Sequence, residues 1–171
     1  MRNTLFKLLF FLWLSNSFAD EAPINEEKSK YIYCNVYLDS LCFGLISGDS
    51  LNMRIPVDFV LYDIELNFGE KLLIYYGFNP ESIDLENVKS NIKCAVNYNI
   101  CDIYKFSNNS YRVQYQLSDE GSILDVVIKN INPLNYKEIN NFFKNFKKCY
   151  SQDNDIICSE SKLFPEGVII E

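Results

Sequence analysis

NIKCAVNYNICDIYKFSNNSYRVQYQLSDEGSILDVVIKNI, residues 91–131, decides how this chain folds. Tyr111, Val113, Tyr115 and Leu117 alternate with Arg112, Gln114, Gln116 and Ser118. A strict period of two marks a strand with one buried and one wet face. Ser118-Asp119-Glu120-Gly121-Ser122 breaks the pattern, and Ile123 to Ile131 resumes as a second apolar run. Two β-rich runs joined by a short Asp/Gly loop predict a hairpin. Upstream in the same stretch, Cys94 and Cys101 bracket an Asn/Tyr-rich segment, and Asn108-Asn109-Ser110 is an N-glycosylation sequon with Asn108 as acceptor.

Working outward, the same kind of short strand recurs. Tyr31 to Asp39 alternates, with Ile32, Cys34, Val36 and Leu38 opposite Tyr31, Tyr33, Asn35 and Tyr37. Cys42 to Ile46 predicts a second short strand, inside a Ser40–Arg54 stretch otherwise rich in turn residues such as Gly48-Asp49-Ser50. Val57 to Phe68 predicts another. The unbroken run Leu72 to Tyr76 predicts a strand covered on both faces. Glu81 to Ser90 fits a loop or one helical turn. Downstream, Ile139, Phe142, Phe143 and Phe146 stand at i, i+3, i+4 and i+7, which predicts one amphipathic helix over about 136–148. Asn135 and Glu138 resemble a capping pair at its start, and Lys144, Lys147 and Lys148 suit its C-terminal dipole. Leu163-Phe164 and Val168 to Ile170 suggest a last edge strand. The sum is a mainly β fold: a disulfide-stapled sandwich of about six to eight short antiparallel strands with one C-terminal helix.

The first residues stand apart. Arg2 and Lys7 accompany an apolar run from Leu5 to Leu14, and Ser17-Phe18-Ala19 offers a small-x-small cleavage site. This predicts a signal peptide over 1–19, a polar leader over 20–30 and a single domain over 31–171. No stretch is long enough for an ordinary membrane span. Losing Arg2 and Lys7 with the signal takes the formal charge from -7 to -9. A field this negative repels nucleic acid and anionic membranes.

Six cysteines after a signal peptide predict a disulfide framework in a secreted protein. They fall into near pairs: Cys34 with Cys42, Cys94 with Cys101, Cys149 with Cys158. Spacing alone permits other pairings. A metal site is not expected, because the chain has no histidine and no Cys-x-x-Cys. The absence of histidine also removes Ser-His-Asp and Cys-His catalytic units. Acidic pairs such as Asp63 with Glu65, and Asp119 with Glu120, read as wet surface rather than as a glycosidase pair facing across a cleft. The expectation is no enzyme and no cofactor.

Two motifs carry resemblances. Glu120 to Pro133, EGSILDVVIKNINP, looks like the strand and turn that precede the second core cysteine of immunoglobulin-like domains. Gly69-Glu70-Lys71-Leu72-Leu73-Ile74 is similar to an early strand of that family. The core tryptophan of the family has no counterpart. The pair Cys94 and Cys101, followed by alternating Tyr111 to Leu117, is similar to the MD-2-related lipid-recognition family. In that second family the two sheets splay to hold a lipid; a carrier reading of this chain expects a cavity between its sheets, lined by residues such as Leu72, Ile74, Phe142 and Phe146.

The functional expectation is therefore a protein-binding module acting at a cell or host surface, with an extracellular carrier of an apolar ligand as the alternative. Tyr31, Tyr33 and Tyr37 share one strand face and are the expected contact surface, because tyrosine gives large contact area at low entropy cost.

Overall fold

The computed structural model describes residues 34–38, 40–96, 99–117, 121–153, 155–159, 163–164 and 167–169. The expected signal peptide and leader, with Tyr31 and Tyr33, lie outside them.

The predicted hairpin is at the centre. Strands β8 (Tyr111–Gln116) and β9 (Ile123–Ile128) pair antiparallel, Tyr111 opposite Ile128 and Gln116 opposite Ile123. Around them forms a seven-stranded antiparallel sheet. It adds β3 (Ser50–Arg54), β4 (Phe59–Glu65), β5 (Lys71–Gly77), β6 (Val88–Val96) and β7 (Asn99–Phe106), in the order β3-β4-β5-β9-β8-β7-β6. A smaller sheet, in the order β1-β2-β10-β11, holds β1 (Val36–Leu38), β2 (Leu41–Phe43), β10 (Lys147–Gln152) and β11 (Asp155–Cys158). One helix, α1 (Tyr136–Phe143), follows a short 3₁₀ turn. The protein is thus mainly β, with two antiparallel sheets, a late helix and three disulfides.

The alternating residues of the large sheet build the core. Residues directly opposite in antiparallel strands share a face. Tracing the register gives one row across all seven strands: Met53, Tyr62, Ile74, Val126, Val113, Ile103 and Ile92. Their exposures run 50%, 3%, 0%, 0%, 0%, 4% and 38%. The second layer therefore covers the five middle strands and leaves both edges bare. That layer comes from β1, β2, α1 and the segment around Phe164. Phe43 meets Tyr62 edge-on at 6.0 Å, Tyr136 meets Tyr111 at 6.3 Å, and Phe164 meets Tyr115 at 5.5 Å. The whole stripe Ile139, Phe142, Phe143 and Phe146 is buried here. Phe146 stacks on Phe43 at 5.0 Å. Burying each such ring contributes roughly 1.5–3 kcal/mol.

Several expectations are corrected. The described strands number eleven, above the expected six to eight. Edge strand β3 and the β6–β7 hairpin account for much of the excess, because their polar sequences do not alternate cleanly. The helix stops at Phe143 rather than at 148. Lys147 and Lys148 instead pair with Cys42 and Leu41 of β2, so they serve a strand and not a helix dipole. Cys149 and Cys158 sit directly opposite in the β10–β11 hairpin. Sheet pairing and the cross-strand disulfide outweigh the helical period there. Asn135 makes no cap bond to α1; its Nδ2 donates to Glu70 Oε1 at 2.9 Å. Strand β5 is not covered on both faces. Leu72, Ile74 and Tyr76 face the core while Leu73 and Tyr75 are half-buried. Glu81 to Asn87 is loop, with β6 starting at Val88. Leu163, Phe164, Val168 and Ile169 are buried plugs and not a strand.

One connection crosses the sheet. Consecutive strands β5 and β6 are separated by β9, β8 and β7, so residues 78–87 must pass over a sheet face to reach the far edge. They pass over the outer face, held there by Arg112.

Candidate functional site

Of the expected tyrosine surface, only Tyr37 lies within the described residues. It is 47% exposed, between inward-facing Val36 and Leu38, as the alternation predicts. Its carbonyl accepts a hydrogen bond from the Tyr62 hydroxyl at 3.2 Å. Burial pushes the Tyr62 phenol above its usual range.

The sequon occupies the turn between β7 and β8. Asn108 is exposed, and its Oδ1 accepts from the Ser110 N–H at 3.3 Å. Asn109 has φ 55°, a left-handed conformation that asparagine tolerates better than most residues. The Ser110 hydroxyl is buried and accepts from the Asn130 N–H at 3.0 Å. The six cysteines form the three near pairs: Cys34–Cys42, Cys94–Cys101 and Cys149–Cys158.

The acidic pair on β4 is spoken for. Asp63 meets Arg54 at 2.7 Å, and Glu65 meets Lys71 at 3.4 Å, with all four side chains 46% exposed or more. Such pairs contribute little to stability and have no desolvated pocket. Asp119 and Glu120 lie outside the described residues. The residues expected to line a lipid cavity, Leu72, Ile74, Phe142 and Phe146, are all buried in the common core. Phe142 and Phe146 touch at 5.3 Å.

Two features of the site escaped the sequence. The first is the outer-face ion pair. Arg112 was expected on a wet face, yet it is buried with Asp125. Its Nε donates to both Asp125 oxygens at 2.9 Å, and Nη2 lies 2.5 Å from Oδ2. Nη1 donates to the Ser82 carbonyl at 3.3 Å, and Nη2 also donates to the Glu81 carbonyl. The guanidinium thus spends its donors on Asp125 and on the crossing segment. Beside it lies an open cleft of about 630 Å³, lined by Glu81, Asp84, Asn108, Arg112 and Lys129 among others. Its mixed charges and tethered arginine mark it as the seam where the crossing segment rests. On the same face, burial and the nearby Asp102 charge raise the Tyr104 phenol.

The second is the bare edge at β3. Leu51 and Met53 stand on the core side of the sheet, opposite Ile64 and Tyr62, yet remain 40% and 50% exposed. Exposed Ile55 and Val57 follow in the link between β3 and β4. A depression of about 380 Å³ adjoins it, bounded by Ile55, Val57, Phe59, Tyr76 and Phe78. The other edge differs. Strand β6 carries exposed Lys89 and Lys93 and a register shift between Val88 and Ser90. Charge and irregularity are the usual protections of an open edge, and β3 has neither in its middle.

Comparison with known proteins finds no family model, no curated protein and no solved structure that matches this chain. What the fold defines is a class: a mainly β, two-sheet protein stapled by three disulfides. Among the described residues no helix is long and apolar enough to cross a membrane.

Proposed function

We propose that the chain is a secreted, glycosylated binding module that recognises a protein partner at a cell or host surface. The observation that carries this reading is the exposed apolar pair Leu51 and Met53 on the edge strand β3, extended by Ile55 and Val57 in the link that follows it. An edge strand offers unpaired N–H and C=O groups, and a partner segment added there gains main-chain hydrogen bonds. The partner presents an extended segment whose alternate apolar side chains cover Leu51 and Met53. That segment is neutral or basic, because the chain carries a net charge of -7 and repels acids. The signal sequence, the sequon and the disulfides support an extracellular setting. The carrier alternative has less support, since Ile74, Phe142 and Phe146 are fully buried against their neighbours.

The test is saturable, protease-sensitive binding of the labelled, purified protein to intact cells. The double substitution Leu51→Lys with Met53→Lys is expected to weaken it at least tenfold, about 1.4 kcal/mol. Both side chains are partly exposed, so the fold tolerates the change. Wild-type binding by that variant overturns the β3 surface. Tyr37→Ala, measured in parallel, shows whether the tyrosine surface contributes.

A further inference from the structure

Cys34, Cys42, Cys149 and Cys158 form one cluster, their sulfur atoms all within 4.8 Å of one another. Two of the disulfides are therefore in contact. Cys42 Sγ lies 3.1 Å from Cys149 Sγ and 3.5 Å from Cys158 Sγ. The topology explains the meeting. Strand β2 pairs with β10 so that Cys42 stands opposite Lys147, and Cys149 follows two residues along on the same face. The cluster is layered: Cys42 and Cys149 are buried, while Cys34 and Cys158 are half-buried. The third disulfide, Cys94–Cys101, joins β6 to β7 in the other sheet and has no place in the cluster.

We propose that these four cysteines are a thiol–disulfide exchange site, in which the inner pair takes up a disulfide between the neighbouring strands β2 and β10 and the outer pair reacts with an external thiol. The steps balance. The thiolate of an external thiol attacks the more accessible Cys34 sulfur, forms a mixed disulfide there and expels the Cys42 thiolate. Cys42 attacks Cys149, forming Cys42–Cys149 and expelling the Cys158 thiolate. The two inner sulfurs must close by about 1 Å to reach bonding distance. Cys158 then either attacks Cys34 and returns the external thiol, a redox-neutral rearrangement, or stays reduced. In the second case another external thiol resolves the mixed disulfide at Cys34. The net result is two electrons and two protons taken up, two outer thiols, and one oxidised molecule of the external thiol. Lys147 stands opposite Cys42 and two residues before Cys149, and a cation close to a cysteine favours its thiolate. The inner disulfide closes a loop between residues 107 apart, against separations of 8 and 9 in the hairpins. A longer loop constrains the unfolded chain more, so the rearranged form keeps the fold while it presents two thiols.

The experiment uses the full secreted protein and reduced glutathione. Samples are acid-quenched over time, alkylated and mapped by non-reducing peptide mass spectrometry. A Cys42–Cys149 cross-link is expected, together with alkylated Cys34 and Cys158 or a Cys34–Cys158 cross-link, while Cys94–Cys101 stays intact. Alkylation of both members of one hairpin, Cys34 with Cys42 or Cys149 with Cys158, without any Cys42–Cys149 peptide overturns the proposal. The double variant Cys34→Ser with Cys158→Ser gives an independent reading. It is expected to be isolated with Cys42 and Cys149 bonded, and two free thiols at those positions in the folded variant refute the relay. Should that variant not fold, the wild-type map decides alone.

Discussion

Replacing Arg112 with Met tests the account of the outer face. Arg112 and Asp125 have side chains 10% and 3% exposed, and their closest contact is 2.5 Å. Without the guanidinium, the Asp125 carboxylate keeps the Gln114 side-chain N–H at 3.3 Å and stays out of water. Removing one partner of a buried pair costs about 3–5 kcal/mol, because the orphaned charge is uncompensated. At about 2–4 °C per kcal/mol for a chain of this size, the melting temperature falls by roughly 6–20 °C. The Glu81 and Ser82 carbonyls lose their donors in the same change, so the crossing segment loosens. Urea denaturation gives the free energy, and hydrogen exchange of the 81–87 amides gives the local effect. Adding Asp125→Leu removes the orphaned charge, and the double variant is expected to recover most of the loss. The reasoning is refuted if Arg112→Met costs less than about 1 kcal/mol, as an exposed pair would. It is equally refuted if the two losses simply add.

Further consequences follow from the core and the strands. Phe146→Ala removes a ring in contact with Phe43, Phe142, Phe143 and Phe164. It should cost about 3–5 kcal/mol by urea midpoint, and a cost under 1 kcal/mol would mean the cluster is not the packed centre. Gly77→Ala places a Cβ 2.8 Å from Phe59 Cβ and 2.7 Å from the Tyr75 hydroxyl, so β4 must give way. A loss of roughly 1–3 kcal/mol is expected; an unchanged or raised melting temperature sinks the argument. Burial holds the Tyr62 and Tyr111 phenols above their usual 10.0, so the folded protein keeps protons that the unfolded chain releases. The contribution of these two phenols to stability is therefore complete below pH 10 or so and declines as pH climbs through the raised folded values. Tyr111→Phe should flatten part of that alkaline decline, and a decline identical to wild type removes Tyr111 from the explanation.

What could be read in advance depended on whether a pattern was local. The β8–β9 hairpin was legible because Tyr111 to Leu117 alternates and Gly121 sits in the break. The aromatic stripe from Ile139 to Phe146 was legible as a buried face, and the near cysteine pairs as local staples. The end of the helix was not, because Lys147 and Lys148 are good helix residues. They became strand only when Cys42 and Leu41, more than a hundred residues away in sequence, arrived to pair with them.

The candidate surfaces divide the same way. Alternation in the chain put Tyr37 outward, and it is outward. Nothing local separates Arg112 from a solvated arginine. It is buried because Asp125 on the next strand, and the segment that must cross to β6, converge on it. Met53 and Ile74 stand in one row of one sheet, yet one is half bare and the other sealed, since the second layer is only wide enough for five strands. The four-sulfur cluster likewise needs β2 beside β10. The sequence by itself determined periodicity, turns and the close spacing of the cysteine pairs, all set by neighbours along the chain. Strand order and the width of the covering layer decided which of those residues are buried, bare or brought together, because those depend on contacts between segments distant in sequence.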